Sequence, residues 1–277
     1  MASRATLLST ALAMVLVGKP VRAETVEVFA AGSLRGAMAE IGQRAATMGI
    51  QIKPVFGGSG TLRERIEKGE KPDLLLSADM GSPLALAAQG RTFVPPVAFA
   101  RNRLCLVARH ELKLKGLSAP RLVDGLLAKG VRIRTSRPVA DPSGDYAMAM
   151  FDLMDKAHPG AAKALRDRAA QSWDLPLPAL TAGQNATTAL FAAKSIDVAV
   201  TYCSATSDLT KGVQDLDTVP VPAAFDPQPV FGLALLSDKA AAARLGLLLL
   251  SGAGQDALAT AGLLKISDSH ARQARPD

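Results

Sequence analysis

Aromatic residues are scarce in this chain: one Trp, two Tyr and eight Phe amount to 4% of its 277 residues. A surface that stacks nucleic-acid bases needs aromatic platforms interleaved with a basic groove, and neither is visible. The 32 basic side chains exceed the 25 acidic ones but are scattered, so no nucleic-acid partner is expected. Histidine is rarer still. His110, His158 and His270 lie far apart, with no ligand spacing to cysteine or carboxylate, so no metal site and no cofactor are expected. Long apolar runs are missing as well: beyond the first residues nothing approaches the roughly 18 apolar positions of a membrane span.

The first residues have their own pattern. Arg4 precedes an apolar run from Ala5 to Val17, and Val21-Arg22-Ala23 offers a small-x-small cleavage site. Residues 1–23 read as a secretory signal peptide cut after Ala23, leaving a soluble, exported chain. No cysteine follows the cut, so a lipid anchor is not suggested. Removing Arg4, Lys19 and Arg22 leaves 29 basic against 25 acidic side chains, a mild net charge of +4. Cys105 in "RLCLVAR" and Cys203 in "VAVTYCS" both sit in apolar, strand-like runs. Export permits a disulfide, but the expectation is two buried free thiols acting as small hydrophobes.

Strand-like and helix-like patterns alternate along the rest. Thr25 to Ala31, Gln51 to Phe56 and Asp73 to Ala78 read as strands. Helices are expected from Ser33, from Ser59 and near Ser82, the first from the spacing of Leu34, Ala37, Met38, Ile41 and Ala45. This βαβαβα order calls for a mostly parallel sheet covered by helices. Extended, proline-bearing runs from Phe93 to Arg109 interrupt it, and a second α/β unit begins near Asn102.

Three serines stand where a strand gives way to a helix: Ser33 in "FAAGSLRGAM", Ser59 in "VFGGSGTLRERI" and Ser143 in "DPSGDYAM". Ligands of open α/β sheets collect at such junctions, where helix N-termini present unpaired N–H groups. No lysine follows the glycines of "GGSGTL", which removes a nucleotide-phosphate loop. Thr61 replaces the last glycine of a hydrolase nucleophile elbow, and no histidine is set as its base, so no enzyme is expected. One alternative for Ser59 is a plain N-cap, its hydroxyl accepting a backbone N–H. The other reading is a convergent anion site of hydroxyls, backbone N–H groups and helix dipoles without a compensating cation. Asp145 either faces solvent at its helix start or supplies an acceptor for a hydrogen on the anion.

The runs "VFAAGSLRGAM", "GGSGTLRERIEKGEKPDLLLSAD", "DPSGDYA", "VAVTY" and "LLLLSGAGQDALATAGL" together resemble the periplasmic molybdate-binding proteins, the substrate-binding components of ATP-driven importers. The resemblance spans nearly the whole mature chain. It implies a two-lobed α/β periplasmic-binding-protein fold of type II, each lobe a mostly parallel sheet flanked by helices and joined by crossing strands. The implied segments are residues 24–101 and 206–277 for the first lobe and 102–205 for the second. It implies a monomer that captures molybdate or tungstate in an interlobe cleft and delivers it to an ABC transporter permease. Ligand positions carried over from the family are Ser33, Ser59, Ser143, Tyr202 and a backbone donor at Gln184, with Asn185 beside it. Another anion, such as sulfate, phosphate or a small organic anion, is the alternative cargo. Gly60 stands where the family often has a second hydroxyl, and Asp145 and the Gln-Asn-Ala stretch also depart from its pattern.

Overall fold

The structure, a computed structural model, describes residues 23–180 and 185–268. The expected signal segment, Ala23 apart, lies outside the described residues. The chain starts with β1 (Glu24–Ala31), α1 (Arg35–Thr47), β2 (Ile50–Gly57), α2 (Ser59–Glu67), β3 (Leu74–Ser77) and α3 (Gly81–Ala88). It continues through β4 (Val97–Arg101), β5 (Leu104–Arg109), α4 (Ala119–Leu127), β6 (Ile133–Arg134), α5 (Pro142–Ala157), α6 (Ala161–Gln171) and α7 (Ala186–Ala192). The last part is β7 (Val198–Tyr202), α8 (Thr206–Thr210), β8 (Leu216–Pro220), β9 (Val230–Leu235), α9 (Ala240–Leu250) and α10 (Gly252–Thr260).

Local chemistry accounts for these elements. All four residues of β3 are buried, as expected of a strand covered on both faces. Helix α1 turns Ala37, Met38, Ile41 and Ala45 inward at helical spacing, while Glu40 and Arg44 pair on its outer side. Helix α5 begins with Asp141 as its cap and Pro142 in its first turn, where a missing N–H costs nothing.

Two sheets form, ordered β2–β1–β3–β9–β4 and β6–β7–β5–β8, flanked by helices in the two-lobed manner expected. Parallel pairing joins β1 to β2 and β3, and β6 to β7. The strands that pass between the lobes pair antiparallel. Their direction follows from the path: β9 and β5 enter their sheets from the cleft side, whereas their neighbours run toward it. The expected return at residue 206 needs correction. Helix α8 packs on β5, and β8 pairs with β5 from Cys105 opposite Pro220 to Arg109 opposite Leu216, so the second lobe extends to Pro220.

Asn102 ties the crossings together. Its N–H donates to Pro229 O at 3.0 Å, its Nδ2 donates to Ser204 Oγ at 2.8 Å, and its Oδ1 accepts from Arg103 N at 2.9 Å. Its backbone thus ties the outgoing strand to the returning segment, and its buried side chain ties it to the turn that follows β7. Beside it, Cys105 and Cys203 form a disulfide, with Cα atoms 4.9 Å apart, which overturns the expectation of free thiols. Cys105 lies opposite Thr201 in the antiparallel β5–β7 ladder, so Cys203, two residues on, is its diagonal neighbour on the same face. No helix among the described residues is long and apolar enough to cross a membrane.

Candidate functional site

Between the lobes lies a cleft of about 1210 Å³. From the first lobe it receives the start of α1 (Gly32, Ser33, Arg35), the β2–α2 turn (Gly57, Gly58) and Ala78. From the second it receives Arg134, Ser136, Asp141, Ser143, Asn185, Thr188 and Tyr202. The N-termini of α1, α2 and α5 thus meet across one space, and their dipoles favour negative charge there.

Ser33 stands out among the lining residues. Its Oγ is buried and has no hydrogen-bond partner among the described residues. An unpaired buried hydroxyl costs about 1 to 3 kcal/mol, which a ligand oxygen would recover. Ser59 is wholly buried beside the cleft, and its Oγ accepts the Ala78 N–H at 3.0 Å. The plain-cap alternative is corrected: Gly58 holds the cap position without a side-chain bond, and Ser59 is the first helical residue. Ser143 is buried at the start of α5, where its N–H donates to Asp141 Oδ1 at 3.0 Å. Asn185 caps α7, its Oδ1 accepting from Thr187 N at 2.8 Å. Gln184 lies outside the described residues.

Tyr202 is buried at the end of β7, its ring edge-on to Tyr146 and Phe231, with centroids 6.4 and 5.3 Å away. Its hydroxyl reaches Ala78 O of the other lobe at 3.5 Å, the outer limit of a hydrogen bond. Burial above all, then the nearby Asp141, pushes its phenol well above the ordinary tyrosine value. It therefore keeps its proton and can donate. Tyr146 belongs to the same cluster: its oxygen accepts Val230 N at 3.2 Å, and burial raises its pKa as well.

The lobes also touch beside the cleft. Thr61 donates to Ala140 O twice, from its N–H at 3.2 Å and from its Oγ1 at 3.4 Å. This approach explains the last two glycines of "GGSGT": a Cβ on Gly60 would lie 1.8 Å from Val139 O, and one on Gly58 2.4 Å from Ala140 O. Val139 has φ +71°, a conformation unusual for a β-branched residue, and its N–H is held by Asp145 Oδ1 at 2.9 Å. Asp145 is exposed and braces this turn, while Asp141 lines the cleft.

The expected absence of cations is corrected too, because Arg35, Arg134 and Lys211 line the cleft. The Arg35 guanidinium stacks over the Phe56 ring, 4.2 Å from its centroid. Arg134 donates to Ser172 O, and burial, then the nearby Arg137, lowers its pKa. Sequence reasoning missed Arg134, which reads as an ordinary strand residue, and Asp141. The signal for Asp141 was present: Asp-Pro-Ser opens a helix with a capping carboxylate, which must sit wherever the helix start points.

A model of the bacterial extracellular solute-binding proteins matches residues 26–264. The chain belongs to that family. Within the family's reach lies an uncharacterised protein of Pasteurella multocida, 30% identical over 218 residues, covering 78% of this chain and 88% of that protein. The molybdate-binding protein ModA of Mycobacterium bovis is 33% identical over 88 residues, 31% of this chain and 34% of its own length. Among solved structures, the sulfate-binding protein SubI of Mycobacterium tuberculosis has a TM-score of 0.71 at 15% identity, over 88% of this chain and 87% of its own, a likeness of fold. For a solute-binding protein, a small-molecule ligand and a membrane permease as partner follow from the family.

Proposed function

We propose that this protein captures a tetrahedral oxyanion between its lobes in the periplasm and, as a monomer, delivers it to an ABC transporter permease. Molybdate or tungstate is the expected cargo. The observation that carries this reading is the Ser33 Oγ, without a hydrogen-bond partner among the described residues and buried in a cleft on which three helix N-termini converge. A charged acceptor there gains roughly 1.5 to 3 kcal/mol from each hydrogen bond, so about five suffice for micromolar binding after association costs. The likeness of one stretch to a molybdate-binding protein supports the same cargo.

The contacts made from both lobes are what would favour the closed form over an open one. The permease would then recognise that closed form. A second reading, an oxyanion that carries a hydrogen, such as phosphate, is favoured by one observation: the Asp141 carboxylate lines the cleft.

A melting-temperature panel with molybdate, tungstate, sulfate and phosphate tests the reading. A ligand at about 100 times its dissociation constant adds about 2.7 kcal/mol, which for a chain of this size raises Tm by roughly 5 to 10 °C. No shift with any of the four would reject it.

A further inference from the structure

Asp141 is an unexpected occupant of a cleft built to attract negative charge. Its Oδ1 accepts Ser143 N at 3.0 Å, and the Ser136 side chain also bonds to it. A carboxylate has about four acceptor positions, so two donors leave capacity for a third. The surrounding groups do not neutralise it. Asp145 on its own helix and Asp79 after β3 both disfavour its charge, and the buried Tyr202 phenol lies close enough to feel it. Of the cations that line the cleft, Arg134 donates to Ser172 O and Arg35 stacks on Phe56, and neither these nor Lys211 forms an ion pair with Asp141 among the described residues.

An anion seated against Ser33, Ser143 and Tyr202 would thus meet a carboxyl oxygen in the same lining. Two acceptors cannot share a contact without a hydrogen between them. We propose that one proton enters the cleft with each anion and is held between Asp141 and an oxygen of the ligand. A fully ionised anion takes that proton from solvent, so the Asp141 carboxylate becomes a carboxylic acid that donates to the anion. Hydrogen phosphate brings the proton as its own O–H, which donates to the carboxylate. Burial, the largest influence on Asp141, raises its pKa and makes the first route accessible. This inference rests on the oxyanion reading and gives that site its selectivity and pH response.

Calorimetric titrations with tungstate and with phosphate, from about pH 6.5 to pH 9, test it on the full mature chain. For tungstate, Kd rises tenfold per pH unit above the pKa of Asp141, and Asp141→Asn abolishes the slope. For phosphate, Kd stays level while the singly protonated form predominates. Repeating the wild-type tungstate titration in buffers of different ionisation enthalpy counts the protons directly, with one taken up per anion expected, and needs no variant. Tight tungstate binding with a level profile and no proton uptake overturns the proposal while leaving the oxyanion reading intact. The same slope in Asp141→Asn also overturns it. Failure of both anions to bind either protein at any pH overturns the oxyanion reading and the proton coupling together.

Discussion

The two walls of the cleft are built differently. The first lobe offers mostly short neutral groups, Ser33, the glycines of the β2–α2 turn and the backbone of Ala78, with Ser59 buried behind them and Arg35 stacked on Phe56 at the edge. The second offers Asp141, Arg134 and Tyr202, whose ring packs edge-on to Tyr146, beside Ser143. Under the proposed function, the mostly neutral wall would fix an anion by hydrogen-bond geometry, whereas the titratable wall would make binding depend on protonation. The division suggests that the first lobe defines the seat and the second decides which anion keeps it.

The largest effect is expected where the walls meet. Gly60→Ser places a Cβ against Val139 O and holds the lobes apart. Loss of two second-lobe hydrogen bonds would cost about 3 to 6 kcal/mol, so affinity should fall at least about a hundredfold in titration calorimetry. An unchanged Kd would show that the lobe contact is not part of the bound state.

Ser33→Ala comes next. It removes one donor to a charged acceptor, so Kd should rise roughly 10- to 150-fold, while the ligand-free protein should be no less stable in denaturant unfolding because the lost hydroxyl had no partner. Ser59→Ala should do the opposite to stability. The buried Ala78 N–H loses its acceptor, so unfolding free energy should drop by about 1 to 3 kcal/mol even without ligand. If the two variants behaved alike in both measurements, the distinction between a seat residue and a supporting one would fail.

The smallest effect sharpens the contrast between the walls. Because the folded-state pKa of Asp141 is raised, its contribution is fully present below the unfolded-state value and is lost as pH rises through the folded-state value. Asp141→Asn should therefore melt increasingly above the wild type as pH rises from the unfolded-state value to the folded-state value, keep a constant advantage beyond it, and show no such gain in more acid solution. A pH series of melting curves on the ligand-free proteins reads this directly.

Much of the first wall was legible in the sequence. Strand β1 ends in the apolar run of residues 28–31 and β3 opens with three leucines, α1 keeps its helical spacing, and serines beside glycine mark the junctions. The second wall was harder to read for particular reasons. Asp141 resembles any helix cap, and only the three-dimensional path reveals that the capped end faces the cleft. Arg134 sits in a two-residue strand too short to show alternation. Cys105 and Cys203 are 98 residues apart, and nothing local states that their strands are neighbours. The extended run around "LDTVP" marks a strand without saying which sheet it joins, so the return boundary was placed too early. The turn glycines were visible as a motif, but their purpose, admitting the Val139 and Ala140 carbonyls of the other lobe, is a tertiary fact.

The central claim is that a small oxyanion sits between these walls. A crystal grown with tungstate and measured at the tungsten absorption edge tests it most directly. The account predicts one strong anomalous peak in the cleft, its oxygens within hydrogen-bonding distance of Ser33 Oγ, the start of α5 and the Tyr202 hydroxyl. A peak confined to the outer surface, or a closed cleft without one, would contradict it.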